Sequence, residues 1–234
     1  VTATLNSAGA DNLAQKSQQR PKRRIFIVDD HAVVRNGLAE LINQTPDLVF
    51  CGGAASAEEA IEKIQGASPQ AAVIDLVLGD MNGLELLKRL KELMPGLPIL
   101  VLSMHDENYY AERCLRAGAM GYIMKKEAIE QVEDAIRTVL EGKVYLSKAM
   151  SEQFLLAVTR PDPARVLSPV LRLTDREFEV LECIGQGMRP KQIARKLRLS
   201  VKTIETYQAK LKEKLNLEDN SKLFQYALRW CEHR

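Results

Sequence analysis

Between Arg24 and Glu141 the chain switches five times between short apolar runs and longer stretches with an apolar residue every third or fourth position. Short runs rich in β-branched residues fit strands of a parallel sheet, and the longer stretches fit amphipathic helices. The expected strands are Arg24–Val28, Leu48–Gly53, Ala71–Asp75, Ile99–Ser103 and Tyr122–Met124. The expected helices are Ala32–Asn43, one opened by Ser56 with a capping box to Glu59, Gly83–Met94 before Pro95-Gly96, Glu107–Ala117 before Gly118, and Ile129–Glu141 before Gly142. Strict alternation of this kind predicts an α/β fold, a doubly wound five-stranded parallel sheet.

In such a sheet, ligands sit outside the carboxyl ends of the strands, so polar residues at those ends point to chemistry. The first strand ends in Asp29-Asp30, the third in Asp75, the fourth in Ser103 and the fifth in Lys125. Each taken alone has a plainer reading: Asp75 a cap or turn residue, Asp29-Asp30 a solvated turn, Lys125 a surface lysine. Three carboxylates brought together repel one another and call for a hard divalent cation, most naturally Mg²⁺. Such a site would hold a phosphoryl group against Asp75 as the nucleophile, with Ser103 hydrogen-bonding one phosphoryl oxygen and Lys125 neutralising another.

Taken together, Ile27-Val28-Asp29-Asp30-His31, the Asp75 strand end, Asn82-Gly83, Leu102-Ser103 and Gly121-Tyr122-Ile123-Met124-Lys125 resemble the receiver domain of two-component response regulators, a flavodoxin-like fold, over residues 23–147. The resemblance implies that Asp30, Asp75 and the backbone carbonyl of Val77 bind the metal directly, while Asp29 assists through water. It also implies a sensor histidine kinase as phosphoryl donor, and that Tyr122 turns inward behind Ser103 when phosphate arrives. A residue that only shields a sheet edge is the plainer reading of Tyr122. The sequence departs from the family at Gly79 and Lys126, where proline is usual or frequent.

Charge divides the chain. Residues 25–147 hold 11 Lys and Arg against 19 Asp and Glu, whereas residues 171–234 hold 14 against 9, so only the second region is suited to a polyanion. Residues 1–22, largely Ala, Ser, Thr, Asn and Gln before a basic end, are expected to be a disordered tail. No apolar run approaches the roughly 20 residues of a spanning helix, and no signal-peptide core is apparent. Cys51, Cys114, Cys183 and Cys231 are widely spaced, without a CxxC pair; a zinc site or disulfide framework is not indicated, and a reducing, cytoplasmic location is expected.

Pro161, Pro163 and Pro169 forbid a continuous helix through residues 148–171, which read as a linker. Beyond it, Thr174 and Glu177 form a capping box for a helix burying Val180, Leu181 and Ile184. Pro190 opens a short helix with Ile193, Ala194 and Leu197 inside, and Ser200 caps a third helix running to about Leu215. This small all-α region, residues 172–234, is a helix-turn-helix. On its third helix Ile204, Tyr207, Leu211 and Leu215 share the core side. Lys202, Thr203, Glu205, Thr206 and Ala209 lie toward the exposed side, flanked by Lys210, Lys212 and Lys214, as entry into a DNA major groove requires. An ordinary solvated amphipathic helix is the plainer reading.

Leu173-Thr174-Asp175-Arg176-Glu177, Val180-Leu181, Gly187, Ile193-Ala194, Leu197, Ser200, Lys202-Thr203-Ile204 and Lys214-Leu215 resemble the LuxR-type DNA-binding domain of the NarL and FixJ group. Tyr207, Gln208 and Arg189-Pro190 depart from its usual residues. The final helix, about Ser221 to Trp230, carries Leu223, Ala227 and Trp230 on one stripe; the resemblance implies dimer contacts there, and core packing serves equally well. Two functions of different class follow. The first is a transcription factor, not an enzyme, that is phosphorylated on Asp75 and binds double-stranded DNA as a homodimer. The second is a phosphotransfer enzyme with an aspartyl-phosphate intermediate whose basic domain docks a partner.

Overall fold

The computed structural model describes residues 21–79, 81–159 and 169–232. The tail expected at residues 1–22 lies almost wholly outside the described residues. Five strands, β1 (Arg23–Val28), β2 (Leu48–Ala54), β3 (Ala71–Ile74), β4 (Ile99–Ser103) and β5 (Gly121–Met124), form one parallel sheet in the order β2-β1-β3-β4-β5. β1 pairs with β2 and β3, and β3 with β4, in parallel register. The β1–β2 ladder slips after Ile25, so that Phe26 faces Gly52. There the glycine has φ +152°, and an added Cβ would lie 3.1 Å from the Phe26 ring, so the bulge needs a residue without a side chain. β3 is buried at every position, as its continuous apolar run requires.

Helices α1 (Ala32–Gln44), α2 (Ala57–Ala67), α3 (Gly83–Leu93), α4 (Glu107–Arg116) and α5 (Ala128–Leu140) fall where the apolar periods place them. Ser56 Oγ accepts from the Glu59 N–H at 3.1 Å and caps α2. The Glu59 carboxylate, however, accepts from Ala55 N–H rather than from Ser56, so the capping box is closed one residue early. Gly118 and Gly142, past the ends of α4 and α5, take φ of +102° and +79°.

A sixth helix, α6 (Lys148–Thr159), fills the first half of the stretch expected to be a linker. Ser147 caps it, accepting from Met150 N–H, and it ends two residues before Pro161. The prolines limit the helix without preventing it. Then follow α7 (Asp175–Gly185), α8 (Pro190–Lys196), α9 (Val201–Leu215) and α10 (Asn220–Glu232). The Thr174–Glu177 capping box is complete, Pro190 stands at the first turn of α8, and Ser200 Oγ accepts from Thr203 N–H.

By compactness the chain falls into two units. The first comprises Ala117–Gly121, Glu127–Tyr145 and the described part of Val1–Leu102; the second comprises Ser103–Arg116, Tyr122–Lys126 and the described part of Leu146–Arg234. In the first, Leu38 and Ile42 of α1, Ala60 and Ile64 of α2, Leu86, Leu87 and Leu90 of α3, and Ala135, Ile136 and Val139 of α5 are buried with the strands. In the second, Val180, Leu181, Ile184, Ile193, Ala194, Ile204, Leu211, Leu223, Ala227 and Trp230 are buried around packed α7, α9 and α10. The α10 stripe therefore serves the core. Leu197 and Tyr207, expected inside, are half-buried.

Candidate functional site: the strand ends and the third helix of the basic region

Asp29 closes β1 and Asp75 follows β3, so parallel pairing of these strands delivers both carboxylates to one edge. Ligand atoms of Asp29, Asp30, His31 and Asp75 all lie within 4.8 Å of one another. Asp29 and Asp75 are buried, whereas Asp30 and His31 are open to solvent. The chain's own backbone sets the two buried carboxylates: His31 N–H donates to Asp29 Oδ1 at 2.8 Å, and Val77 N–H donates to Asp75 Oδ1 at 3.1 Å. A carboxylate that accepts from the amide two residues on has its orientation set in part by its own turn.

The loop after Asp75 is closed by Asn82 and Gly83. Val77 and Asn82 form an isolated antiparallel bridge, and Asn82 Oδ1 accepts from Leu84 N–H at 2.8 Å, capping α3. Gly83 passes so close to the loop that an added Cβ would lie 2.4 Å from Leu76 Cα and 2.5 Å from the Asp75 carbonyl oxygen. Both obstacles are backbone. The Asn-Gly pair is thus a matter of space: α3 begins against the very loop that carries Asp75.

His31 is the neighbour that sequence reasoning passed over. Its Nδ1 lies 2.6 Å from Asp30 Oδ1 and 3.5 Å from Asp29 Oδ1. The signal was its place directly after the acidic pair. Three carboxylates make a hard oxygen donor set that suits Mg²⁺, while an imidazole suits softer ions, so His31 reads as a hydrogen-bond partner of Asp30 rather than a magnesium ligand. Arg35 adds a further tie, donating to the Asp29 carbonyl at 2.6 Å.

In the second unit, Ser103 ends β4 fully buried and Lys125 follows β5 as the first residue of a 3₁₀ turn, Lys125–Glu127. Ser103 Oγ accepts from His105 N–H at 3.2 Å. The Tyr122 hydroxyl donates to the His105 carbonyl at 2.8 Å, and its side chain is 0% exposed. Tyr122 thus already occupies an inward position, whereas the family resemblance implies that it turns inward on phosphorylation. One backbone unit, His105, therefore links both residues expected to form the switch.

On α9, Lys202, Glu205, Thr206, Ala209 and Lys210 are exposed, while Thr203 and Lys212 are half-buried. The Thr206 hydroxyl donates back to the Lys202 carbonyl at 3.0 Å, and Thr203 Oγ1 pairs with Ser200 Oγ at 2.7 Å. Lys210 Nζ lies 5.9 Å from the Tyr207 ring centroid. Lys214, expected among the flanking cations, is instead engaged with Glu177 of the α7 capping box at 2.7 Å. Burial pushes the Glu177 carboxyl up, but Lys214 and the Thr174 amide and hydroxyl outweigh it and hold the group below the usual carboxylate range.

A model of the response regulator receiver domain matches residues 25–137, and one of the luxR family of bacterial regulatory proteins matches residues 171–227. The oxygen regulatory protein NreC of Staphylococcus carnosus (strain TM300) is 36% identical over 211 residues, covering 88% of this chain and 97% of its own. NreC of Staphylococcus epidermidis (strain RP62A) is 35% identical over 212 residues, with the same coverage. Among solved structures, RcsB from Salmonella enterica serovar Typhimurium, bound to promoter rprA in the presence of phosphomimetic BeF3⁻, has a TM-score of 0.66. It covers 88% of this chain and 98% of its own at 24% identity, a likeness of fold. A LuxR-family two-component response regulator from Aurantimonas sp. SI85-9A1 has a TM-score of 0.55 at 29% identity, covering 59% of this chain and 99% of its own.

Proposed function

Because the chain belongs to the response regulators that join a receiver domain to a luxR-family DNA-binding domain, we propose that its DNA binding is switched by a phosphoryl group carried on Asp75. The observation that carries this reading is the convergence of the Asp29, Asp30 and Asp75 carboxylates within 4.8 Å at the ends of neighbouring parallel strands. No structural need of the sheet calls for three acids there, and their mutual repulsion is a cost that a bound cation and phosphoryl group would turn to use.

A sensor histidine kinase is the natural donor. An Asp75 carboxylate oxygen attacks phosphorus, the bond from phosphorus to the kinase imidazole breaks, and the imidazole leaves with the electron pair. Asp30, Asp75 and the Val77 carbonyl would hold Mg²⁺, with Asp29 assisting through water; bound there, the ion supplies charge compensation for the phosphoryl oxygens. Ser103 hydrogen-bonds one phosphoryl oxygen and Lys125 neutralises another. The protein then works as a two-state switch in the cytoplasm, without turnover of an external substrate.

At the other end, α9 enters the major groove of double-stranded DNA. Glu205, Thr206 and Ala209 face base edges, and Thr203 lies beside them at the start of the helix. With its hydroxyl bonded back to Lys202, Thr206 offers a methyl group to thymine. Lys202, Lys210 and Lys212 meet phosphates. Two chains bind paired half-sites, in keeping with the DNA complexes reported for RcsB, one of which holds two RcsB dimers on two parallel DNAs. Retention of this protein on a promoter duplex, measured with and without acetyl phosphate and Mg²⁺, tests the reading. Phosphorylation should tighten specific binding, and equal binding in both states would contradict it.

A further inference from the structure

Asp30 stands beyond the end of β1, past the ladder, and its side chain is 31% exposed. Its direction is therefore set through its neighbours. Asp29 N–H donates to the Ala54 carbonyl at 3.2 Å, and His31 N–H donates to Asp29 Oδ1 at 2.8 Å. A further pair of ties comes from the first turn of α1. Arg35 N–H donates to the His31 carbonyl at 3.0 Å, and Arg35 Nη1 donates to the Asp29 carbonyl at 2.6 Å. One residue thus grips the Asp29–His31 turn at both ends, and its bond to Asp29 is charge-assisted.

The neighbouring strand makes room for that side chain. The slip in the β1–β2 ladder sets Gly53 opposite Ile27, and an added Cβ at Gly53 would lie 3.3 Å from Arg35 Cδ and 3.0 Å from the Ile27 carbonyl oxygen. The arginine stem lies over a glycine, and Arg35 is half-buried. We propose that Arg35 is a positioning residue for the cation: by holding the Asp29 carbonyl it fixes the Asp29–Asp30 peptide, and with it the direction in which Asp30 offers its carboxylate. The proposal rests on the functional reading above, which places Mg²⁺ at this cluster. A guanidinium has no acceptor atom and cannot itself be a ligand. It acts from outside the ligand set, where a partner that orients a ligating group raises metal affinity by keeping the donor in place.

The experiment uses the full chain, its fold checked by circular dichroism, and no phosphoryl donor. It reads binding of Mn²⁺, which suits the same hard oxygen donors, from the loss of the free ion's paramagnetic resonance signal. Arg35→Met keeps a stem over Gly53 and removes the donors, and it should weaken Mn²⁺ binding about tenfold. Arg35→Lys, which carries the charge on a shorter arm, should recover part of that loss. Wild-type affinity in a folded Arg35→Met would overturn the proposal. Should that variant not fold, Arg35→Gln decides the matter in the same way.

A second readout separates positioning from support of the fold. Modification by acetyl phosphate, followed by intact mass as Mg²⁺ is raised, should need about tenfold more Mg²⁺ in Arg35→Met and then approach the wild-type rate. A lower rate at saturating Mg²⁺ with an unchanged half-saturating concentration would overturn the proposal. Asp30→Asn keeps this idea apart from the functional reading. If the wild type binds no Mn²⁺, or if binding survives in Asp30→Asn, the reading of the cluster fails and the proposal fails with it. Binding that needs Asp30 and is indifferent to Arg35 leaves the reading intact and overturns the proposal alone.

Discussion

The carboxylates at the ends of β1 and β3 and the side chains on the open face of α9 are the two regions proposed to meet a ligand, and they are held in opposite ways. Asp29 and Asp75 are buried, each accepts from the amide two residues on, and Gly83 packs backbone against the Asp75 loop. Glu205, Ala209 and Lys210 stand in solvent, and the Thr206 hydroxyl bonds back to its own helix. A group that must present reacting atoms to a metal and a phosphorus is fixed before the ligand arrives, because misplacement of an ångström costs much of the rate. A group that meets long, hydrated DNA can order itself on contact. Substitutions at the first region should therefore act through geometry and stability, and those at the second through affinity and selectivity.

The largest effect is expected at Gly83. Gly83→Ala forces backbone apart at the Asp75 loop and should cost about 1–3 kcal/mol in urea unfolding, together with loss of acetyl-phosphate modification. Wild-type values for both would mean that the cradle is soft and the contrast between the regions is false. On α9, Glu205→Ala should leave the fold untouched but reduce discrimination at one base pair by roughly 1–3 kcal/mol. Equal tightening on promoter and random duplexes would instead make Glu205 a plain repeller of phosphate.

Next in size is the base of the helix-turn-helix, which shares the tight character of the first region. Thr174→Ala removes the α7 cap and should cost about 1 kcal/mol. Glu177 adds a pH dependence of known sign. Its folded-state carboxyl lies below the ordinary range, so its contribution is complete above the unfolded value of about 4.3 and is lost as pH falls through the folded one. Glu177→Gln should flatten that part of the acid limb in a comparison of thermal melts, and an unchanged limb would count against the Lys214 pairing.

Smallest are the single lysines. Alanine at Lys202, Lys210 or Lys212 should flatten the plot of log affinity against log salt by about 0.9 for each phosphate that is no longer neutralised. Lys214→Ala should leave that slope unchanged and lower stability instead, because its ammonium is engaged by Glu177. A slope change at Lys214 would place it back among the DNA-binding residues.

Local pattern carried most of the fold. The run Ala71–Ile74 is buried at every position because it is apolar at every position, and Ser56, Thr174, Pro190 and Ser200 start helices because they satisfy or omit the amides that a helix start leaves over. The acidic cluster was legible too, since parallel strands carry their last residues to a common edge. Pairings distant in sequence were not. Nothing near Arg113 announces Val170, Leu173 and Phe178, and nothing near Lys214 announces Glu177, 37 residues away. Helix α6 was missed because Pro161 and Pro163 govern only the residues beside them, while Lys148–Thr159 has no breaker of its own. The inward position of Tyr122 depends on the His105 carbonyl, a turn interaction that no periodicity encodes.

The central claim is that one buried carboxylate, Asp75, takes the phosphoryl group. Intact mass and peptide mapping after acetyl phosphate and Mg²⁺ should show a single phosphoryl group on the wild-type chain, located on Asp75, and none on Asp75→Asn. Stoichiometric modification that persists in Asp75→Asn would contradict the account.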